Sequence, residues 1–146
     1  MIELMTRRFG LVQRPEEEII RFSNGLFGFE LHRRWLLLGD SEHGGLYWLQ
    51  NIEQPDLALA VVDPREFVTD YSLCVQRHEL GPLASGIEPL VVLAVLTQGE
   101  SKVWLNLRNP IVISPDNRLG RQVTASDDRP LQYVLSGQVL RLRKSA

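Results

Sequence analysis

The chain has 146 residues, 44% hydrophobic and 23% charged, which suits one domain with an ordinary core. Lys and Arg number 16 against 18 Asp and Glu, so the basic surplus that sequence-blind nucleic-acid binding needs is missing. The single cysteine, Cys74, excludes an internal disulfide and fits a reducing compartment.

The opening "MIELMTRRFG" has no apolar stretch of signal-peptide length, and no run approaches the length needed to cross a bilayer. The chain reads as a soluble cytoplasmic domain. Short β-rich runs then follow one another: "IELMT", "EEIIRF" from Glu17, "WLLLG" from Trp35 and "LYWLQN" from Leu46, parted by Gly, Asn, Pro or Asp turns. "LALAVVD" from Leu57 and "LVVLAVLT" from Leu90 are continuous apolar runs, expected as central strands covered on both sides. "KVWLNL", "PIVIS", "RQVTA" and "LQYVLSGQVLRLR" complete the series. In "QVLRLR", alternation sets Val139, Arg141 and Arg143 opposite Leu140 and Leu142, the pattern of a half-buried edge strand.

Helix is scarce. Pro64 with "REFV" predicts one turn capped by Asp63, and "RHELGPLAS" from Arg77 a short helix limited by Gly81 and Pro82. No repeat or linker divides the chain. Residues 1–146 are expected to form a single, mostly β domain, a small β-barrel-like or sandwich fold with one or two short helical turns.

Signs of chemistry are lacking. His32, His43 and His78 do not pair at metal-ligand spacing, so no metal site is expected. Cys74, between Leu73 and Val75, is expected on a strand and inertly buried. Glu16, Glu17 and Glu18 follow Pro15, and Asp127 with Asp128 precedes Pro130, as solvated turns do. No phosphate loop, dinucleotide fingerprint or nucleophile elbow is present, so no enzyme activity, cofactor or small-molecule substrate is expected.

Two polar stretches at strand ends stand out. Gln50, Asn51, Glu53 and Gln54 lie between two hydrophobic strands; they either tie the loop to its own backbone or contact a partner. "NLRNPIVISPDNRLGRQV", from Asn106, reads as a hairpin: Pro110 begins a strand, and Asp116 and Asn117 centre the turn. Its wet face carries Asn106, Arg108, Asn109, Arg118, Arg121 and Gln122. Gly25 and Gly28 are expected at positive φ before Phe29, which plugs the core. A second reading pairs the arginines with Trp48 and Trp104 as a small β-barrel that binds single-stranded RNA.

Three segments together resemble the FliW flagellar assembly factors. They are "FSNGLFGFE" from Phe22, "LQNIEQPDLALAVVDPREFVTDY" from Leu49, and the hairpin sequence, which is similar to the family's "NLRAPIVIN", basic turn and "GxQV". Their order and spacing carry the resemblance over almost the whole chain. Asn109 stands where the family usually has Ala, Ser114 where it has Asn, and Ala60 where an aromatic is common. The resemblance implies a non-enzymatic adaptor. It would bind flagellin and the carbon storage regulator CsrA, relieve CsrA repression of flagellin translation, and use no membrane or direct nucleic-acid contact. Gln50, Asn51 and Glu53 on one loop, with Asn106, Arg108, Asn109, Arg118, Arg121 and Gln122 on the hairpin, are the expected partner-binding residues. Carboxamides and guanidinium groups suit paired hydrogen bonds to a partner's backbone or acids.

Overall fold

The computed structural model describes residues 1–86 and 89–135. The edge strand expected in "QVLRLR" lies outside the described residues.

Strands β1 (Ile2–Thr6) and β2 (Gly10–Arg14) form an antiparallel hairpin of their own. After a 3-10 turn at Glu16–Glu18 come β3 (Ile20–Phe22), β4 (Arg34–Gly39), β5 (Leu46–Asn51) and β6 (Ala58–Val62). A 3-10 turn at Pro64–Glu66 and helix α1 (Arg77–Leu80), continued by 3-10 residues Gly81–Ser85, lead to β7 (Val91–Gln98). The last strands described are β8 (Val103–Leu105), β9 (Ile111–Ser114), β10 (Leu119–Gln122) and β11 (Tyr133–Leu135).

The order β7-β6-β5-β4-β3-β10-β9 closes on itself because β9 pairs back with β7, as in Val92 opposite Val112. The fold is therefore a seven-stranded barrel rather than a sandwich, with β8 and β11 continuing the sheet beyond β7. Among the described residues all strand pairings are antiparallel except β3 with β10. Closure joins β9 to β7, the two strands that would be the edges of a flat seven-stranded sheet.

Inside sit Trp35, Phe22, Ile20, Leu49, Val61 and Ile111, each at most 1% exposed. Burying side chains of this size contributes about 1.5–3 kcal/mol each, which drives the curled sheet to close over them. A second cluster, around Val62, Ala94, Leu105 and Leu107, lies where the sheet extends to β8 and β11. The β1–β2 hairpin packs on the barrel's outer wall through Val12, against Leu36 and Leu38 of β4.

Local signals are obeyed in most places. Asp63 accepts a hydrogen bond from Arg65 N at 2.9 Å and caps the Pro64 turn. Gly25 and Gly28 have φ of 64° and 88°, and Phe29 packs against the main core. Pro110 directly precedes β9, and residues 115–118 make the hairpin turn.

Three expectations are corrected. Cys74 is exposed: residues 71–76 run without strand pairing, Leu73 and Val75 take the inward side, and alternation turns Cys74 outward. β2 was not expected, because Val12 alone on it is buried and apolar alternation is weak. The apolar runs that form β6 and β7 are not covered throughout. Val61, Val62, Leu93 and Ala94 are buried, yet Ala58, Leu59, Ala60, Val95 and Leu96 are half-buried and Thr97 and Gln98 exposed. The cause is that β6 and β7 pair only at Val61–Val95 and Val62–Ala94 before diverging.

Candidate functional site

The loop after β5 is built from its own carboxamides. Gln50 and Asn51, expected to face a partner, are wholly buried. Gln50 Nε2 donates to the carbonyls of Asn51 (3.0 Å), Pro55 (3.0 Å) and Leu57 (3.3 Å), which folds residues 52–57 back onto the strand. Asn51 Nδ2 donates to Arg34 O at 3.3 Å, while its Oδ1 accepts from Gln54 N at 2.8 Å. A strand end that turns tightly leaves carbonyls without ladder partners, and a buried amide satisfies them. Glu53 is exposed and pairs with Arg34 Nε at 2.6 Å.

The hairpin residues also bond mostly within the chain. Asn106 Oδ1 accepts from the N–H groups of Arg108 (3.1 Å) and Asn109 (3.0 Å), turning the chain between β8 and β9. Gln122 donates from Nε2 to Asn109 O at 2.9 Å and accepts at Oε1 from Phe27 N at 2.8 Å. It thereby ties the β3–β4 loop to the hairpin. Asn109 Oδ1 accepts from Thr124 Oγ1 at 3.2 Å.

The three arginines reach three different neighbours. Arg118, at φ 52°, donates from a terminal guanidinium nitrogen to Glu18 O at 2.6 Å. Arg121 lays its guanidinium against Gly81. Exposed Arg108 donates from Nε to Arg129 O at 3.3 Å. By topology β5 and β10 end, and β6 and β9 begin, at one end of the barrel, which brings the Gln50 loop together with Asn106, Arg108, Asn109 and Gln122. Arg118, in the turn before β10, lies at the opposite end. No hydrogen bond among the described residues joins the two groups.

A further group escaped sequence reasoning. At the tip of the β1–β2 hairpin, Thr6 Oγ1 donates to Gly10 O (2.9 Å) and accepts from Phe9 N (2.8 Å). That tight turn throws Arg8 over the Trp48 ring, 3.6 Å from its centroid, with Phe9 edge-on at 6.5 Å. Trp48 is thus on the barrel's outer side, and Trp35 fills the core. The signal present was "TRRFG", a hydroxyl and a glycine bracketing paired arginines.

Trp48 Nε1 donates to Asp40 Oδ1 at 3.0 Å, and His43 Nδ1 lies 3.1 Å from Asp40 Oδ2. Burial pushes the Asp40 carboxyl up. Hydrogen bonds from Trp48, His43 and the backbone N–H groups of Glu42 and His43 together outweigh it and hold the group below its ordinary value. Beside Trp48 runs a groove of about 600 Å³ whose walls include Leu46, Leu59, Ala60, Val95, Leu96 and Val103. At its hairpin end, Arg8 and Ala58 are shared with a hollow that Arg7, Pro55 and Asp56 also line.

Comparison with known proteins agrees with this architecture. Residues 3–135 match the family described as FliW protein. The chain is 33% identical over 149 residues to the flagellar assembly factor FliW of Caldanaerobacter subterraneus subsp. tengcongensis, covering 99% of this chain and 97% of that protein. It is 35% identical over 127 residues to that of Natranaerobius thermophilus, covering 84% and 83%. A crystal structure of the flagellar assembly factor FliW superposes with a TM-score of 0.85 at 25% identity, covering 94% of this chain and 99% of that one. With the seven-stranded barrel, the ordered motifs and near full-length similarity in agreement, the chain belongs to the FliW family.

Proposed function

We propose that the chain is a flagellar assembly factor that acts by binding proteins and carries out no chemistry of its own. The observation that carries this reading is its family membership across residues 3–135, with relatives named as flagellar assembly factors. Its partners are flagellin and CsrA, bound in the cytoplasm and in mutual exclusion. When flagellin is exported, the freed protein engages CsrA and relieves repression of flagellin translation. Exclusive binding makes the relative concentrations of the two proteins set the outcome, without any further device.

A rigid closed barrel with charged groups at one end supports such a role. Of the residues at that end, Glu53 and Arg108 are exposed, and Asn109 and Arg121 half-exposed. Rim charges of this kind set specificity and association rate more than affinity. No cofactor enters the scheme.

The test is calorimetric titration with CsrA, repeated after saturation with flagellin. Saturable binding that flagellin abolishes is the expected result; binding to neither protein would remove the function. Arg108→Glu with Arg121→Glu is expected to lose one partner while keeping its circular dichroism. Because Arg121 packs on Gly81, Arg108→Glu alone is the control for folding.

A further inference from the structure

We propose that the seam between β6 and β7 accepts an extended segment of a protein partner as an added strand, apolar in its middle and carrying a carboxylate toward Arg8. The inference deepens the reading of the chain as a protein-binding adaptor, and rests on it.

The bonding parity of the two strands carries the argument. Asn51 N donates to Leu57 O at 2.9 Å, so residues 57, 59 and 61 direct their main-chain groups toward β5. Ala58, Ala60 and Val62 therefore face the other way. On β7, Asn106 N donates to Val95 O (3.0 Å) and Gly99 N to Lys102 O (2.8 Å), so residues 95, 97 and 99 face β8. Ala94, Leu96 and Gln98 face β6. Val62 meets Ala94, Val61 pairs with Val95 through a bond from the Leu96 N–H to the Ala60 carbonyl, and the ladder then stops. Beyond that bond, the Ala60 N–H, the Leu96 carbonyl and the main-chain groups of Ala58 and Gln98 look across a gap. A closed barrel thus keeps two short facing strand edges.

The walls of this gap are the groove beside Trp48. Leu59 and Val95 belong to the barrel's inner cluster, and Leu46, Leu96 and Val103 to the outer one. An inserted strand would set alternate side chains against these two apolar surfaces, while its backbone paired with the free edges. About 600 Å³ holds a few residues of such a strand.

Charge selects the occupant. Arg8 lines the groove, and Arg7 lies beside it in the adjoining hollow, both exposed. Among the described residues no Asp or Glu lines the groove itself; Asp56 shares the adjoining hollow with the two arginines, which outnumber it, and Asp40, behind Trp48, is occupied by Trp48 and His43. The chain's own C-terminal residues carry Arg141, Arg143 and Lys144, the wrong sign for this rim. An acidic, apolar segment of another protein has the right one.

The test is hydrogen–deuterium exchange of the full chain, alone and with saturating flagellin or CsrA. The amides of Ala58, Ala60 and Gln98 are expected to exchange fast in the free chain and at least tenfold more slowly with one of the two proteins. Ala60→Pro removes an N–H that faces the gap and takes none from the β5 ladder. It is expected to weaken that partner's binding at least tenfold with the thermal melt unchanged. Should it fail to fold, Ala58→Asp, a carboxylate on the groove wall, is expected to act alike.

A partner that binds with all three amides unchanged would overturn the inference and leave the adaptor reading standing. If neither protein binds, both fall. Slow exchange in the free chain that quickens on deleting residues 136–146, or on dilution, would give the seam to the chain itself or to a second copy. Either result would overturn the assignment to a partner.

Discussion

Gln50 shows how a polar residue at a strand end is spent. One amide nitrogen serves three carbonyls of the loop that follows, and the whole side chain is out of solvent. Gln50→Leu keeps the volume but strands the Asn51 and Pro55 carbonyls, each costing about 1–3 kcal/mol when left buried without a donor, while Leu57 O keeps its bond from Asn51 N. The substitution is expected to lower stability by about 2–4 kcal/mol in urea unfolding, since solvent can reach part of a relaxed loop. Glu53, three positions on, forms a short ion pair with Arg34, but the side chains are 38% and 48% exposed. Glu53→Ala is expected to change stability by less than about 0.5 kcal/mol, because an exposed pair gains little over its hydrated parts.

The element most constrained by its neighbour is β10. Among the described residues it forms with β3 the one parallel pair, which brings Gly120 directly opposite Phe22. A Cβ at Gly120 would sit inside the van der Waals envelope of the Phe22 ring. Phe22 is 0% exposed in the main core, so the ring has nowhere to retreat. Gly120→Ala is expected to cost about 1–3 kcal/mol, the usual penalty for overpacking a core, and to lower the melting temperature accordingly. Gly86→Ala, where the nearest non-neighbouring atom lies at 3.5 Å, is the control that should be tolerated.

For the whole molecule, acid is the informative perturbation. Asp40 and Asp63 both have folded-state pKa values held below the ordinary one. At Asp40 burial works against this and hydrogen bonds prevail; at Asp63 the hydrogen bonds to Arg65 dominate. A depressed carboxylate pKa means the unfolded chain binds protons more readily than the folded one. Their contribution is therefore fully present above the ordinary Asp value of about 4 and is lost as pH falls through the lower folded values. As pH falls below about 4 the stability of the chain should decline. Asp40→Asn with Asp63→Asn is expected to flatten that decline, measured by urea unfolding at stepped pH. Asn at position 63 can still cap the Pro64 turn, so a steep decline in the double variant would place the acid sensitivity elsewhere.

What the sequence determined by itself was whatever depends on neighbours along the chain. Alternation and turn chemistry marked most strands, the Pro64 turn capped by Asp63, the glycines at positive φ and the start of β9 at Pro110. The ordered motifs marked the family. Tertiary structure alone decided what depends on residues far apart. Barrel closure is a pairing of β7 with β9, and either a barrel or a sandwich satisfies the same alternation. Gln50 and Asn51 carry no mark that distinguishes a carboxamide turned inward from one turned to a partner; their burial follows from the loop that folds over them. Nor does "LALAVV" reveal that its first half leaves β7. That divergence arises because β7 pairs with β6 at two positions only, while its other side follows β9 and then β8. The open seam is a product of three strands competing for one, and no single segment encodes it.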